Sequence, residues 1–346
     1  MREHGIINPN ALRGSDSQAV LGSSIEMLDM RLVEAHLRRA IDNGRLNGPG
    51  DPLGYLRYNH CLVTIDGQDM VSLAGLMCFG HSPQEIFRQA VVDIGHWRGA
   101  EPLSFEVVHL EKNIGGTLFD QLARVESYLW TNIHHGMTLA NRSFQRTEVH
   151  EYPQAVLREL CVNMIAHRDY TNFRASARVQ LFRNRIEWIS PGGLPPGVTV
   201  ENLLSEQVAR NPVILNILFE AGFVEAIGQG LNTVVHVLER EGMTKPRFVD
   251  TGASFIVTVF GRPLDLFYGG EAYQGLNESQ HKILSLLRAR PGLSPRDIAA
   301  QFPDRARRSI QRDLSGLIEA DLITATGEGR ALRYDFATSP NPDFES

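Results

Sequence analysis

The segment RELCVNMIAHRDY, residues 158–170, decides how the middle of this chain is read. Placed on a helical wheel at about 100° per residue, Val156, Leu157, Leu160, Cys161, Met164 and Ile165 fill one half of the circle. Glu159, Asn163 and His167 recur at intervals of four and fall on the border of that apolar half. A polar stripe at the edge of a buried face lines a cleft between helix and sheet. It also fits a set of half-buried residues bonded to nearby loops. The helix alone leaves both readings open.

The flanking sequence extends the pattern. ARVQLFRNRIEWIS (177–190) alternates as two strands around RNR, the signature of a hairpin. PGGLPPGVT (191–199) is a Gly/Pro-rich loop, 212–221 and 231–241 have helical spacing, and SFIVTVFG (254–261) is a closing strand. The order helix, two strands, loop, helices, strand predicts an α+β sandwich, with helices on one face of a mostly antiparallel sheet. Two glycine motifs sit at its corners. SPGG (190–193) follows a strand directly, and GQGL (228–231) opens a helix. Glycine lets backbone N–H groups turn toward a ligand, and a helix N-terminus favours phosphate.

The whole chain has 346 residues, enough for two or three domains. Its net charge of −6 excludes a polyanion binder of uniformly basic character, so a basic patch must be sought locally. Cys61, Cys78 and Cys161 lie far apart within apolar runs. That is neither a disulfide framework nor a zinc pattern, and it suits a reducing, cytoplasmic setting. No run approaches the roughly 18 apolar residues of a membrane span. Residues 1–24 read as a loose polar arm, and 25–145 as a small mixed α/β linker or dimerisation domain. Within it lie a helix over 27–41, the breaker NGRLNGPGDP (43–52), short strands, and an amphipathic helix over 118–133.

The middle block, 146–265, resembles the GHKL superfamily, the ATP-binding fold of gyrase, MutL and histidine kinases. More narrowly, it resembles the divergent branch labelled RecG C-terminal-like, found in prokaryotic regulators with a Schlafen/AlbA-like front domain. The matching stretches are LRELCVNMIAHRDY, RIEWISPGGLPPGVT, ARNPVI, GFVEAIGQGL and GASFIVTVF, with SLAGLMCFGHSPQEIF (72–87) upstream. The resemblance implies that Asn163 coordinates Mg²⁺ beside the phosphates of ATP or ADP. It implies that Glu159 orients and deprotonates the attacking water. Gly228 and Gly230, with Leu231, correspond to the phosphate lid, and Gly192 and Gly193 to the loop under the adenine; His167 stands where it contacts phosphate or caps the helix. Two positions depart from the family. Ser190 stands where an Asp accepts the adenine amine, and an uncharged acceptor is weaker. Leu194 stands where a second loop glycine is expected. The Glu–Phe–Lys-like strand and Ala–Asn–Thr–x–Gly–Gly-like turn of the AlbA-like domain are absent from the sequence, so that domain's nucleic-acid role does not transfer. Nor does the sequence hold a Gly-x-x-x-x-Gly-Lys-Ser/Thr loop for a helicase motor.

A third block spans 276–336, ahead of a disordered tail at 337–346. Asn277 with Gln280, and Ser294 with Pro295, are helix-start signals. Ile310, Leu314, Leu317 and Ile318 give a third helix its inner stripe, and ITATGEGRALRYDF (323–336) is a hairpin. Three short helices and a hairpin describe a winged helix-turn-helix, similar to the domains of many bacterial repressors. Ten Lys/Arg against eight Asp/Glu leave this block at +2. Arg305, Arg307, Arg308 and Arg312 cluster at the front of the third helix, with Arg330 and Arg333 on the wing. These are the positions that meet bases and phosphates of double-stranded DNA.

Together these features predict a cytoplasmic, homodimeric, DNA-binding transcriptional regulator whose GHKL-like domain senses ATP or ADP with Mg²⁺. Two alternatives remain. One is an ATP-hydrolysing enzyme acting on DNA or in defence, carried by Glu159 and Asn163 and opposed by Ser190 and Leu194. The other is an interaction scaffold with an inactive pocket.

Overall fold

The computed structural model describes residues 15–139, 146–224, 230–262, 276–320, 322–327 and 329–336. The chain divides into two units, one built from residues up to 131, 154–234 and 247–258, the other from 132–153, 235–246 and 259 onward.

In the first unit, α1 (Met30–Asp42) and α2 (Pro52–Tyr58) precede a hairpin of β1 (Leu62–Ile65) and β2 (Gln68–Val71), then α3 (Leu73–Phe79). There follow β3 (Val92–Trp97), β4 (Val107–Ile114), α4 (Leu118–Asn132), α5 (Gln154–Ala166), β7 (Ala177–Leu181) and β8 (Arg185–Pro191). The set closes with α6 (Pro212–Glu220), the first turn of α7 (Gly230–Arg240), β9 (Arg247–Asp250) and most of β10 (Ser254–Phe260). Six strands form one sheet in the order β4-β3-β7-β8-β10-β9, with β3 and β7 parallel and β3–β4, β7–β8 and β9–β10 antiparallel.

Side-chain alternation gives this sheet two unlike faces. Ile94 pairs with Val179 and Val179 with Trp188, so these three point the same way, and all are buried. Above them Trp188 Nε1 donates to Cys161 Sγ of α5 at 3.4 Å, and Tyr128 of α4 reaches His96 Nδ1 at 3.0 Å. The other face carries Leu110, Gln180 and Glu187 in register with Gly95 and is partly solvated. An α+β sandwich with helices on one sheet face is what the hydrophobic pattern predicts.

Two expected boundaries are corrected. The strands of the 25–145 block do not build a separate domain, because β3 and β4 complete the sheet that contains β7, β8 and β10. Residues 15–24 are not a loose arm. Asp16 is fully buried, and its Oδ2 accepts from the backbone N–H groups of Val213 and Ile214 at 2.8 and 3.0 Å, closing the N-terminus of α6. The front segment also holds the other end of α6. Glu220, fully buried, accepts from Tyr55 Oη and from the Asn47 N–H at 2.9 Å, with His36 Nε2 at 3.0 Å. Arg45 Nη1 donates to the carbonyls of Phe219 and Val224 at 3.2 and 2.7 Å. A helix gripped at both ends in this way is a fixed wall for whatever lies beside it.

In the second unit β5 (His135–Leu139) and β6 (Arg146–His150) form a hairpin. The C-terminal block contains α8 (Glu278–Ala289), α9 (Pro295–Ala300), α10 (Arg307–Glu319), β11 (Ile323–Thr326) and β12 (Arg333–Phe336). Ile283, Leu287, Ile298, Leu314, Leu317 and Tyr334 share one buried core. Asn277 with Gln280 and Ser294 with Asp297 both make reciprocal capping boxes, which is why these short helices start where the sequence predicts. The expected arm residues 1–14, the linker at 267–275 and the tail at 337–346 lie outside the described residues.

Candidate functional site

Helix α5, the inner face of β8 and β10, the loop after β8, α6 and the first turn of α7 line a cavity of about 200 Å³. Its walls are mainly apolar, with Leu160, Met164, Trp188, Leu203, Leu215 and Phe255 among them. The predicted stripe lies on this cavity, since Glu159, Asn163 and His167 all line it, together with Ser190, Gly192, Gly193, Gly230 and Leu231. Residues of both glycine motifs and of the polar helix thus line one cavity. Gly228 lies outside the described residues.

The local chemistry is more specific than the motifs. Asn163 Nδ2 donates to the Glu159 carbonyl at 2.9 Å and to Glu159 Oε1 at 3.0 Å. Helix α7 begins against the same pair. A Cβ on Gly230 would collide with Glu159 Oε1 and lie 2.7 Å from Asn163 Nδ2. Glycine is required there by close approach. The partial positive charge of the α7 N-terminus thus faces a carboxylate of the chain itself.

A Mg²⁺ ion needs several oxygens converging at about 2.1 Å. Asn163 turns its N–H₂ end, not its oxygen, toward Glu159 Oε1. Among the described residues no group of three or more His, Cys, Asp or Glu is placed to hold a metal. The donor set here is the Glu159 carboxylate and the Oδ1 end of Asn163, and a Mg²⁺ ion at this place would be completed by ligand oxygens and water.

At the other end of the cavity, Ser190 is buried and its hydroxyl donates to the Met164 carbonyl at 2.8 Å. Its proton is committed to α5, which leaves the oxygen lone pairs to accept from a ligand. His167 is half-buried; burial first, and then the neighbouring Arg210 cation, hold its imidazole down to about 4, so it is neutral at pH 7. Arg210 donates to the Gly193 carbonyl and lies 3.6 Å from Asp169 Oδ2. Arg210 is a cavity residue that spacing arguments miss; its trace in the sequence is its place in ARNPVI. Burial also pushes the Cys161 thiol up to about 12, so it is no nucleophile.

The predicted DNA-contact residues separate into two groups. Arg307, Arg308 and Arg312 are exposed on α10. Gln311 and Ser315, not singled out from the sequence, extend the stripe of Arg308 and Arg312 at helical spacing, and Arg296 is exposed at the start of α9. Arg333 is exposed on β12, whereas the Arg330 side chain lies outside the described residues. Arg305 is a correction. Its Nη1 donates at 2.8 Å to Asp313 Oδ2, a carboxylate that is almost fully buried and that also accepts from Asn277 Nδ2 at 3.0 Å. Arg305 neutralises a buried charge and is not free for a phosphate.

Residues 175–259 match the family described as putative ATP-dependent DNA helicase recG C-terminal. This is an ATPase-like domain family, and the matched span runs from β7 through most of β10. It includes Ser190, Arg210 and Gly230 and begins after Glu159, Asn163 and His167. The sequence matches no curated protein. Among solved structures, the DIP2311 protein of Corynebacterium diphtheriae is similar over 93% of this chain and 64% of that chain, with a TM-score of 0.57 and 20% identity. The chain therefore spans slightly under two thirds of that relative's length, and the likeness is one of fold.

Proposed function

We propose that the chain is a DNA-binding transcriptional regulator whose ATPase-like domain serves as a ligand sensor rather than as a motor. One observation carries the DNA reading. Three helices, the first two with capping boxes, share a core with a hairpin, and the third helix presents Arg307, Arg308, Gln311, Arg312 and Ser315 outward. This layout supports the reading as a winged helix-turn-helix, in which the front of the third helix enters the major groove and the wing meets the backbone. Arg and Gln are residues that read guanine and adenine edges in that groove. The family match and the cavity support a nucleotide-type ligand for the other domain. Ligand binding there changes DNA affinity through a coupling free energy between the two sites. The protein acts as a homodimer on paired half-sites, in the cytoplasm.

Fluorescence anisotropy with duplex DNA, repeated across salt concentrations, tests this. Wild type should bind with a steep negative salt slope. Arg308→Ala and Arg312→Ala should each weaken binding, and a lost phosphate contact should reduce that slope by about 1. Equal affinity in wild type and double variant would sink the DNA reading.

A further inference from the structure

The cavity selects more sharply than the family description does. We infer that, granted the ligand-sensor reading above, it takes a neutral adenine compound, a nucleoside or free base, and disfavours the polyphosphate.

Size is the first reason. A dry apolar cavity of roughly 150 Å³ holds one benzene. The space here, about 200 Å³ between Trp188, Met164 and Phe255, suits one flat ring system.

Charge is the second. Among the described residues the cavity lining carries two carboxylates, Glu159 and Glu206, and one guanidinium, Arg210. That guanidinium is already committed to the Gly193 carbonyl and the Asp169 carboxylate. His167 adds an imidazole in its neutral form. A helix N-terminus is where a phosphate group would gain most. Here the first turn of α7 is met by Glu159, whose Oε1 fills the place a Gly230 Cβ would take. A phosphate entering there faces like charge at short range.

Hydrogen-bond polarity is the third. Because Ser190 gives its proton to Met164, it only accepts toward the cavity. An exocyclic amine such as that of adenine satisfies it, and a carbonyl edge such as guanine O6 does not. A buried acceptor facing another acceptor costs both partners their hydrogen bonds.

The test is calorimetric titration of the full chain with adenosine, AMP and ATP, with and without Mg²⁺, and with guanosine. Affinity should fall in the order adenosine, AMP, ATP, by at least tenfold end to end. The spread should shrink as salt is raised, and shrink further in Glu159→Gln. ATP binding as tightly as adenosine, with or without Mg²⁺, would overturn the inference while leaving the ligand-sensor reading intact. Guanosine matching adenosine would overturn the role given to Ser190. No heat from any adenine compound, in protein that still unfolds cooperatively, would remove the sensor reading and this inference with it.

Discussion

Asp16 offers a direct test of how the front segment is bound into the fold. Its carboxylate is fully buried, yet it receives two backbone N–H groups from the first turn of α6 at 2.8 and 3.0 Å. Asn211, the residue at the cap position, spends its amide on the carbonyls of Ala166 and Arg168 instead. Burial raises the Asp16 carboxyl from an ordinary 3.8 to about 6, because loss of water outweighs the stabilising backbone N–H groups. The folded state therefore holds a proton that the unfolded state releases earlier. Stability from this site is fully present below about pH 4, falls as pH rises through 4 to 6, and is lost above that. The span corresponds to about 3 kcal/mol. His167 works in the opposite direction. Its depressed value means that stability rises with pH between about 4 and 6.5. In wild type the two trends offset, so the informative quantity is a difference. Asp16→Asn keeps an acceptor for the α6 N–H groups and cannot ionise. Urea unfolding of both proteins at pH 4, 5, 6 and 7 should show the variant gaining on wild type by about 3 kcal/mol from the lowest to the highest pH. A constant difference across that range would refute the buried, proton-holding cap.

Two further substitutions separate structural from functional roles. Arg305→Ala leaves the buried Asp313 carboxylate short of its cation and should destabilise the C-terminal block by roughly 1–3 kcal/mol. Arg308→Ala, on an exposed site, should move its stability by less than about 0.5 kcal/mol while weakening DNA binding. Thermal unfolding paired with anisotropy distinguishes them, and identical profiles for the two variants would contradict the assignment. Gly230→Ala drives a methyl group into Glu159 Oε1 and Asn163 Nδ2. It should cost about 1–3 kcal/mol by overpacking and weaken adenosine binding in the same calorimetric cell. An unchanged melting temperature would show that α7 does not close on α5 as described.

Local signals in the sequence carry much of this architecture. The helical wheel of residues 156–167 sets Glu159, Asn163 and His167 on one border, and all three line the same cavity. The caps at Asn277 and Ser294 fix where α8 and α9 begin. Long-range pairing is not legible in the same way. β3 and β4 alternate like any short strands, and nothing in their spacing says that β3 runs parallel to β7, with α4, the β5–β6 hairpin and α5 between them in sequence. Hence a boundary placed near 145 from local pattern cuts through a single sheet. Asp16 is hidden for the same reason, since a lone acid in a polar stretch gives no hint of a partner at residue 213. Arg305 shows the converse error. Four arginines close together read as one basic surface, but helical geometry turns Asp313 inward, and the buried acid takes one of them.

The departure at Ser190 has its own physical logic. In the families this domain resembles, an Asp stands at that position and accepts from adenine. Here the side chain points at the Met164 carbonyl, 2.8 Å away, and a carbonyl can only accept. An ionised Asp in that orientation would set acceptor against acceptor in a buried place, with nothing to donate between them. A hydroxyl resolves this, because it donates to α5 and still accepts on its other side. The loop that follows is likewise closed by the chain itself. At Gly192, with φ of +95°, a Cβ would lie 2.5 Å from Arg210 Nη1 and 2.6 Å from the Asp169 Cβ; at Gly193 one would lie 2.9 Å from the Gly252 carbonyl oxygen. Both glycines are accounted for by packing against Arg210, Asp169 and Gly252, without a phosphate. What points to a ligand is therefore not the glycine content of the two motifs, but the apolar cavity and the acceptor that Ser190 turns into it.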